Sequence, residues 1–268
     1  MHPVLIKIGA FELHSYGLML AISFVVGIYW AMARAEKRGV SKNVIMDLSL
    51  LTVLCAILGS RFFYVITHTA EFQGHWLNTI NPVQSDGTVG LSGLSMLGGV
   101  LCVILAIVIF CMVKKIPILT IIDIIAPSFA LGIGITRIGC FLNGCCYGVP
   151  GHAPWCMVFP PNSPAGYYYP DIPIHPTQLY ASLYGFLILA ILILLDRKPR
   201  FQGFIASVFL MLYGLARFSI DFIRDYEASV QFHLFGKGIT YNQLITFGMF
   251  LAGLILLFLQ RYKHRQEE

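Results

Sequence analysis

Apolar residues occur in seven long runs separated by short polar breaks, and inside the runs they are continuous rather than alternating. Crossing a bilayer takes about 20 mostly apolar residues. The runs that qualify are roughly 16–33, 45–66, 91–113, 118–137, 177–195, 203–222 and 240–260. A segment in lipid must satisfy its own backbone hydrogen bonds, and runs this long are unlike the short alternating strands of a barrel. The pattern predicts an all-α fold, a polytopic membrane protein of seven transmembrane helices. Composition agrees, with 57% hydrophobic and only 12% charged residues. We expect one domain over 1–268, with two excursions: an arm at 68–90 and a head at 147–176 rich in Pro, Gly and Tyr. Neither is long enough to build a core of its own.

Lysine and arginine set the expected orientation. Twelve of the eighteen follow the odd-numbered spans, at Arg34, Lys37, Arg38, Lys42, Lys114, Lys115, Arg197, Lys198, Arg200, Arg261, Lys263 and Arg265. The arm and the head contain none. This places the N-terminus outside and the C-terminus in the cytoplasm. The net charge of +5 is then mostly topological anchoring and contact with anionic lipid, and no basic tail or RNA-reading motif points to nucleic acid. The start of the chain lacks the layout of a cleaved signal peptide, so the first span is expected to be an uncleaved anchor. Residues 1–12 mix apolar residues with Lys7 and Glu12 and are expected to lie along the outer interface.

The chemistry lies in what interrupts the apolar runs. Arg61, Arg137 and Arg217 each fall in or at the end of a span, two or three residues after a glycine. An unpaired charge in lipid costs about 2.5 to 3.5 kcal/mol on insertion scales, so each is a functional candidate. All three lie on outward-running spans and can converge at one depth. Tyr213, Arg217, Asp221 and Arg224 are spaced to share one helical face. Such a face reads either as a structural ion-pair ladder or as a ligand site, and Asp123 reads as a partner for one of the arginines. Arginine makes bidentate, charge-assisted hydrogen bonds to phosphate and stays ionised, which suits an outer cluster to a phospholipid headgroup. A voltage sensor would repeat its arginines along one helix, whereas these sit on three.

The segment Arg137–Gly148, RIGCFLNGCCYG, resembles the signature of the bacterial prolipoprotein diacylglyceryl transferases. Further resemblances follow in order along nearly the whole chain. They are His14-Ser15-Tyr16-Gly17, Gly59-Ser60-Arg61 with Tyr64, Gly98-Gly99, Asp123 with Ala126-Pro127, His175 through Tyr180, and Tyr213-Gly214 through Arg217 to Arg224. The resemblance implies a seven-span enzyme of the bacterial cytoplasmic (inner) membrane. It would transfer the diacylglyceryl group of phosphatidylglycerol to the lipobox cysteine thiol in the signal peptide of a preprolipoprotein and release glycerol phosphate. It also implies that Arg137 and Arg217 serve headgroup binding and catalysis, and that no metal or organic cofactor is needed. We expect catalysis from Arg137, Arg217, His14 and His175, and lipid binding from Arg137, Arg61, Tyr16, Gly98, Asn143, Tyr213, Asp221 and Arg224.

Three positions depart from the family pattern. Leu97 stands where a histidine usually precedes the paired glycines, Cys140 where asparagine is usual, and Cys145 where glutamate is usual. A base at Leu97 is excluded, which leaves His14 and His175 as bases or as structural hydrogen-bonding groups. Cys140, Cys145 and Cys146 cluster in sequence, with Cys156 in the head. A disulfide between two of these is the favoured reading on an oxidising side of the membrane, ahead of a reactive thiol or a metal site, since the spacing matches no standard zinc pattern. Asn143, Gly139, Gly144 and Gly148 read as the turn that ends the fourth helix, with Asn143 either capping it or bonding a headgroup. Tyr167-Tyr168-Tyr169 reads as an interfacial belt or a gate. The rival readings of the whole chain are a related transferase with another acceptor, a non-catalytic phospholipid-binding or transport protein, and a thiol redox enzyme.

Overall fold

A computed structural model of the chain describes residues 3–8, 11–72, 93–198, 200–226, 231–234 and 237–267. Strands β1 (Val4–Ile8) and β2 (Phe11–His14) lead into helices α1 (Ser15–Lys37), α2 (Lys42–Thr67), the short α3 (Thr69–Phe72), α4 (Met96–Lys114) and α5 (Ile118–Asn143). The short α6 (Pro164–Tyr168) lies in the head, followed by α7 (Thr177–Asp196), α8 (Phe204–Ile220), strands β3 (Gln231–Leu234) and β4 (Lys237–Thr240), and α9 (Tyr241–Glu267). Six of these helices are long and apolar enough to cross a membrane, and α8 is a shorter apolar helix of 17 residues. The protein is an all-α polytopic membrane protein.

The apolar pattern located every long helix but blurred several ends. The segment expected at the interface is an antiparallel hairpin, with Val4 opposite His14 and Ile8 opposite Phe11. Helix α5 runs past Arg137 to Asn143. Helix α8 stops at Ile220, so Arg224 lies beyond it rather than on its face. Of the arm, residues 68–72, which include α3, are described; 73–92, including the start of the third predicted span, lie outside the described residues. The head does build a small core, Phe159, Ala165 and Ile174, with Phe141 of α5 packed against it.

The helices group into two compact units, one of residues 1–34 with 122–268 and the other of 35–121. In the second, α2 and α4 cross on glycines. A Cβ added at Gly98 would stand 2.2 Å from Phe63 Cβ and 2.5 Å from the Gly59 carbonyl. Small residues allow this close approach where no hydrophobic effect drives helices together. Arg61 in this unit donates to the Gly93 carbonyl (3.2 Å) and lies over the Phe72 ring.

In the first unit, Ala126, Ala130, Ala181, Tyr184, Ile188, Leu192, Phe204 and Ile205 form the core of α5, α7 and α8. Asp123 accepts hydrogen bonds from the Gly203 and Ala206 amides, both 2.8 Å, and so satisfies donors that the start of α8 leaves open. Its carboxylate thus serves the start of α8, and the arginine that does reach Asp123 meets its backbone carbonyl. Pro127 has no N–H, so the Asp123 carbonyl four residues before it loses its helical donor. Arg34 supplies one. Its guanidinium donates to the carbonyls of Asp123 (3.0 Å) and Ile124 (3.1 Å) and to the Asp196 carboxylate (2.6 Å), tying α1, α5 and α7 together.

Candidate active site

Where α5 ends, Gly144 takes a left-handed φ of 73° and the chain turns back, the Cys145 amide donating to the Cys140 carbonyl (3.1 Å). The start of α7 then fixes the turn: Thr177 Oγ1 donates to the Cys146 carbonyl and Gln178 Nε2 to the Cys145 carbonyl, both 2.8 Å. Beyond it the chain passes between two partners. Gly148 donates to the His175 carbonyl (2.9 Å) and Val149 to the Ile223 carbonyl (3.0 Å), while Asp225 donates back to the Tyr147 carbonyl (3.2 Å). A side chain at Gly148 would meet the Ile223 carbonyl at 2.5 Å and His175 Cβ at 2.8 Å. The closing glycine of the signature is therefore a spacing requirement, and this zipper carries Arg224 to the end of α5.

Arg137, one and a half turns before that end, is half-buried, and its Nη1 lies 3.8 Å from Cys140 Sγ. Arg217 is buried on α8. It donates to the Asp221 carboxylate and, through Nη2, to the Tyr226 hydroxyl (2.6 Å). That hydroxyl donates to Asp221 (2.8 Å) and accepts from Asn242 Nδ2 (2.9 Å), and Thr240 Oγ1 approaches Asp221 at 3.5 Å. Arg224 lies over the Tyr226 ring, and its Nε is buried with no hydrogen-bond partner among the described residues. Arg137, Arg217 and Arg224 come close enough to one residue, the buried Tyr184, for all three charges to act on it. Tyr213 packs edge-on against Tyr184 with centroids 6.2 Å apart and stacks on Phe209.

Tyr16 joins this group. The start of α1 passes Gly139 closely enough that a Cβ there would lie 3.3 Å from Tyr16 Cα, and the tyrosine is within electrostatic reach of Arg137 and of Cys140, Cys145 and Cys146. Asn143, the last residue of α5, hydrogen-bonds toward Cys145. Of the expected residues, Tyr16, Arg137, Asn143, Tyr213, Arg217, Asp221 and Arg224 thus belong to one neighbourhood. Arg61 and Gly98 belong to the other unit, where Gly98 serves the helix crossing. Leu97 there is exposed.

The two histidines differ. His175 Nδ1 faces the Tyr180 hydroxyl (3.1 Å) and Cys156 Sγ (3.6 Å), and its Nε2 edge lies against Gly151. His14 ends β2, exposed, two residues before Tyr16. All seven cysteines are free thiols, which corrects the disulfide expected among Cys140, Cys145, Cys146 and Cys156. Hydrogen bonds from the Cys140 and Cys145 thiols, aided by Arg224 and Arg137, pull the Cys146 thiol below its ordinary pKa against the opposing effect of burial. In the head, Tyr169 donates to Asp225 (3.1 Å), while Tyr167 and Tyr168 are exposed. Burial and then Asp225 push Tyr147 up to about 12, so it stays protonated.

Sequence reasoning assigned no role to Tyr184, Thr177, Gln178, Tyr226 or Asn242. Tyr184 resembles any core aromatic in an apolar run. Tyr226 meets Arg217 from beyond the end of α8, and Asn242, on α9, meets the Tyr226 hydroxyl.

Residues 3–259 match the family model described as prolipoprotein diacylglyceryl transferase. Similar proteins include the phosphatidylglycerol--prolipoprotein diacylglyceryl transferases of Photobacterium profundum (36% identical over 258 residues, 95% of this chain and 91% of that one) and Bordetella avium (34% over 262, 96% and 94%). The enzyme of the same name from Clostridium tetani is 28% identical over 264 residues, 98% of this chain and 99% of that one. With its span-length helices and bacterial relatives, this is a multi-pass bacterial membrane protein. The chain belongs to the prolipoprotein diacylglyceryl transferase family.

Proposed function

We propose that the protein transfers the diacylglyceryl group of phosphatidylglycerol to the lipobox cysteine thiol of a preprolipoprotein, the first step of bacterial lipoprotein maturation. The observation that carries the reading is that the charges of Arg137, Arg217 and Arg224 all act on the buried Tyr184, while Arg224 Nε is buried with no hydrogen-bond partner among the described residues. A buried donor without an acceptor is costly, and a lipid phosphate is the acceptor that three guanidinium groups suit. Arg217 already shares its charge with Asp221, so it is a positioned cation, whereas Arg137 and Arg224 have donors to offer. The orientation follows from the lysine and arginine bias, with the N-terminus and this site at the outer face and the C-terminus in the cytoplasm.

In the reaction the precursor thiol loses its proton and its sulphur attacks the glycerol carbon that bears the phosphate ester. The carbon–sulphur bond forms as the carbon–oxygen bond breaks, and glycerol phosphate leaves with the electron pair. Donors held where that charge develops lower the barrier, and the same cations favour the thiolate, since a free cysteine titrates near about 8.5. His14, at the end of β2 and two residues before Tyr16, takes the thiol proton as the base, and His175 faces Tyr180 and Cys156. No step calls on Cys140, Cys145 or Cys146, and none needs a metal.

The test is label transfer by the purified protein. Glycerol-labelled phosphatidylglycerol should label a lipobox peptide, and a peptide with serine for cysteine should stay unlabelled. A chain that binds the lipid and labels neither peptide would favour the non-catalytic reading.

A further inference from the structure

The transfer reaction leaves three thiols unused, and the fold gathers them. The sulphurs of Cys140, Cys145 and Cys146 all lie within 4.8 Å of one another. We propose that they bind one thiophilic d10 cation, zinc(II) or copper(I), through three thiolates. Three sulphurs each about 2.3 Å from one ion stand about 4 Å apart, so the trio needs to close by less than about 1 Å.

The loop is built to hold this arrangement. Cys140 sits in the last turn of α5, and the left-handed Gly144 brings the next residues back over it. Cys146 itself takes a φ of 62°, a conformation that a residue with a Cβ rarely adopts. Strain of this kind is held by its surroundings. Here the surroundings are Gln178 and Thr177, whose hydrogen bonds anchor the Cys145 and Cys146 carbonyls from α7. The chain thereby presents three sulphurs from a Cys-x4-Cys-Cys spacing that resembles no paired zinc motif, which is why sequence reasoning ranked a metal low.

Chemistry narrows the ligand. Three sulphur donors select soft or borderline cations and disfavour magnesium or calcium. Each thiol releases its proton to solvent as its sulphur–metal bond forms. Three thiolates leave the complex with a net charge of −1 around zinc(II) and −2 around copper(I). Arg137, with Nη1 3.8 Å from Cys140 Sγ, and Arg224, acting on Cys146, supply the countercharge. Zinc would keep a fourth, open position, whereas three-coordinate copper(I) would be complete.

The experiment uses the full chain in detergent, reduced and freed of metal, titrated with zinc(II) against a chromophoric chelator and separately with copper(I) against a copper(I) chelator. One equivalent of one ion per chain is expected, at least tenfold weaker in Cys145→Ser and in Cys140→Ser and unchanged in Cys55→Ser. Cobalt(II) in the same site should show a thiolate charge-transfer band that Cys145→Ser loses. Less than a tenth of an equivalent of both ions, in protein whose seven thiols all titrate as free, overturns the proposal. So does binding that survives Cys145→Ser, or a disulfide found within the trio. The titration uses neither lipid nor peptide, so its failure leaves the transfer reaction standing.

Discussion

Tyr226 stands between the two members of a buried ion pair: its hydroxyl accepts from Arg217 Nη2 at 2.6 Å and donates to Asp221 Oδ1 at 2.8 Å. The arginine is thus held on both sides, and its direction is set by a residue outside its helix. Tyr226→Phe keeps the ring beneath Arg224 but leaves Arg217 and Asn242 each short of an acceptor. Hydrogen bonds to charged groups are worth about 1.5 to 3 kcal/mol. Transfer should therefore fall about tenfold or more in kcat with little change in KM, since positioning for the transition state is what is lost. An unchanged kcat would show that the hydroxyl does not direct Arg217.

Asp221 is the countercharge of Arg217, and both are buried. Removing one partner of a buried pair leaves an uncompensated charge and costs about 3 to 5 kcal/mol. Asp221→Ala should lower the thermal midpoint in detergent far more than Tyr226→Phe does. Equal midpoints would mean that Arg217 has another anion.

Arg34 and Pro127 should be coupled, because the proline creates the open Asp123 carbonyl that Arg34 serves. Arg34→Gln should destabilise the protein in the parent chain and cost less in a Pro127→Ala background, where an amide can return to that carbonyl. Residues sharing a network typically show about 0.5 to 3 kcal/mol of interaction in a double-mutant cycle. Additive effects would separate the two.

Gly148→Ala should abolish transfer and impair folding, since its Cβ would meet the Ile223 carbonyl at 2.5 Å and both His175 and Thr177 at 2.8 Å. Gly132, with nothing within 4 Å of an added Cβ, is the control within the same unit. Comparable yields and activities for Gly148→Ala and Gly132→Ala would show that the chain does not thread tightly there.

His14→Ala should lower transfer by about 100-fold or more, the scale of a lost general base, and added imidazole should restore part of it. His175→Ala should instead loosen the head, seen as a lower thermal midpoint that imidazole does not recover. Imidazole rescue of His175→Ala and not of His14→Ala would exchange the two roles.

The helices were legible because lipid demands long unbroken apolar runs, and the arginines stood out against them. The site was legible in part. The residues of the signature did gather at the end of α5, but Arg224 reached it by a backbone zipper of isolated bridges that carries no periodic signal. Tyr184 was hidden because a tyrosine in an apolar run looks like packing. Arg34 passed for a topological anchor because the carbonyl it serves is opened by a proline far along the chain. The closeness of the three thiols was not legible because one left-handed glycine and one left-handed cysteine fold the Cys-x4-Cys-Cys spacing back on itself.

In the proposed reaction, the arginines near Tyr184 hold the leaving phosphate during transfer to a thiol. The direct measurement is the rate of glycerol-label transfer from phosphatidylglycerol to a lipobox peptide by the parent protein and by Arg137→Ala, each shown to be folded. Transfer by the parent is expected, with a loss of about 100-fold or more in kcat for the variant, the scale of a missing donor to a developing charge. Transfer by Arg137→Ala at the parental rate would contradict it.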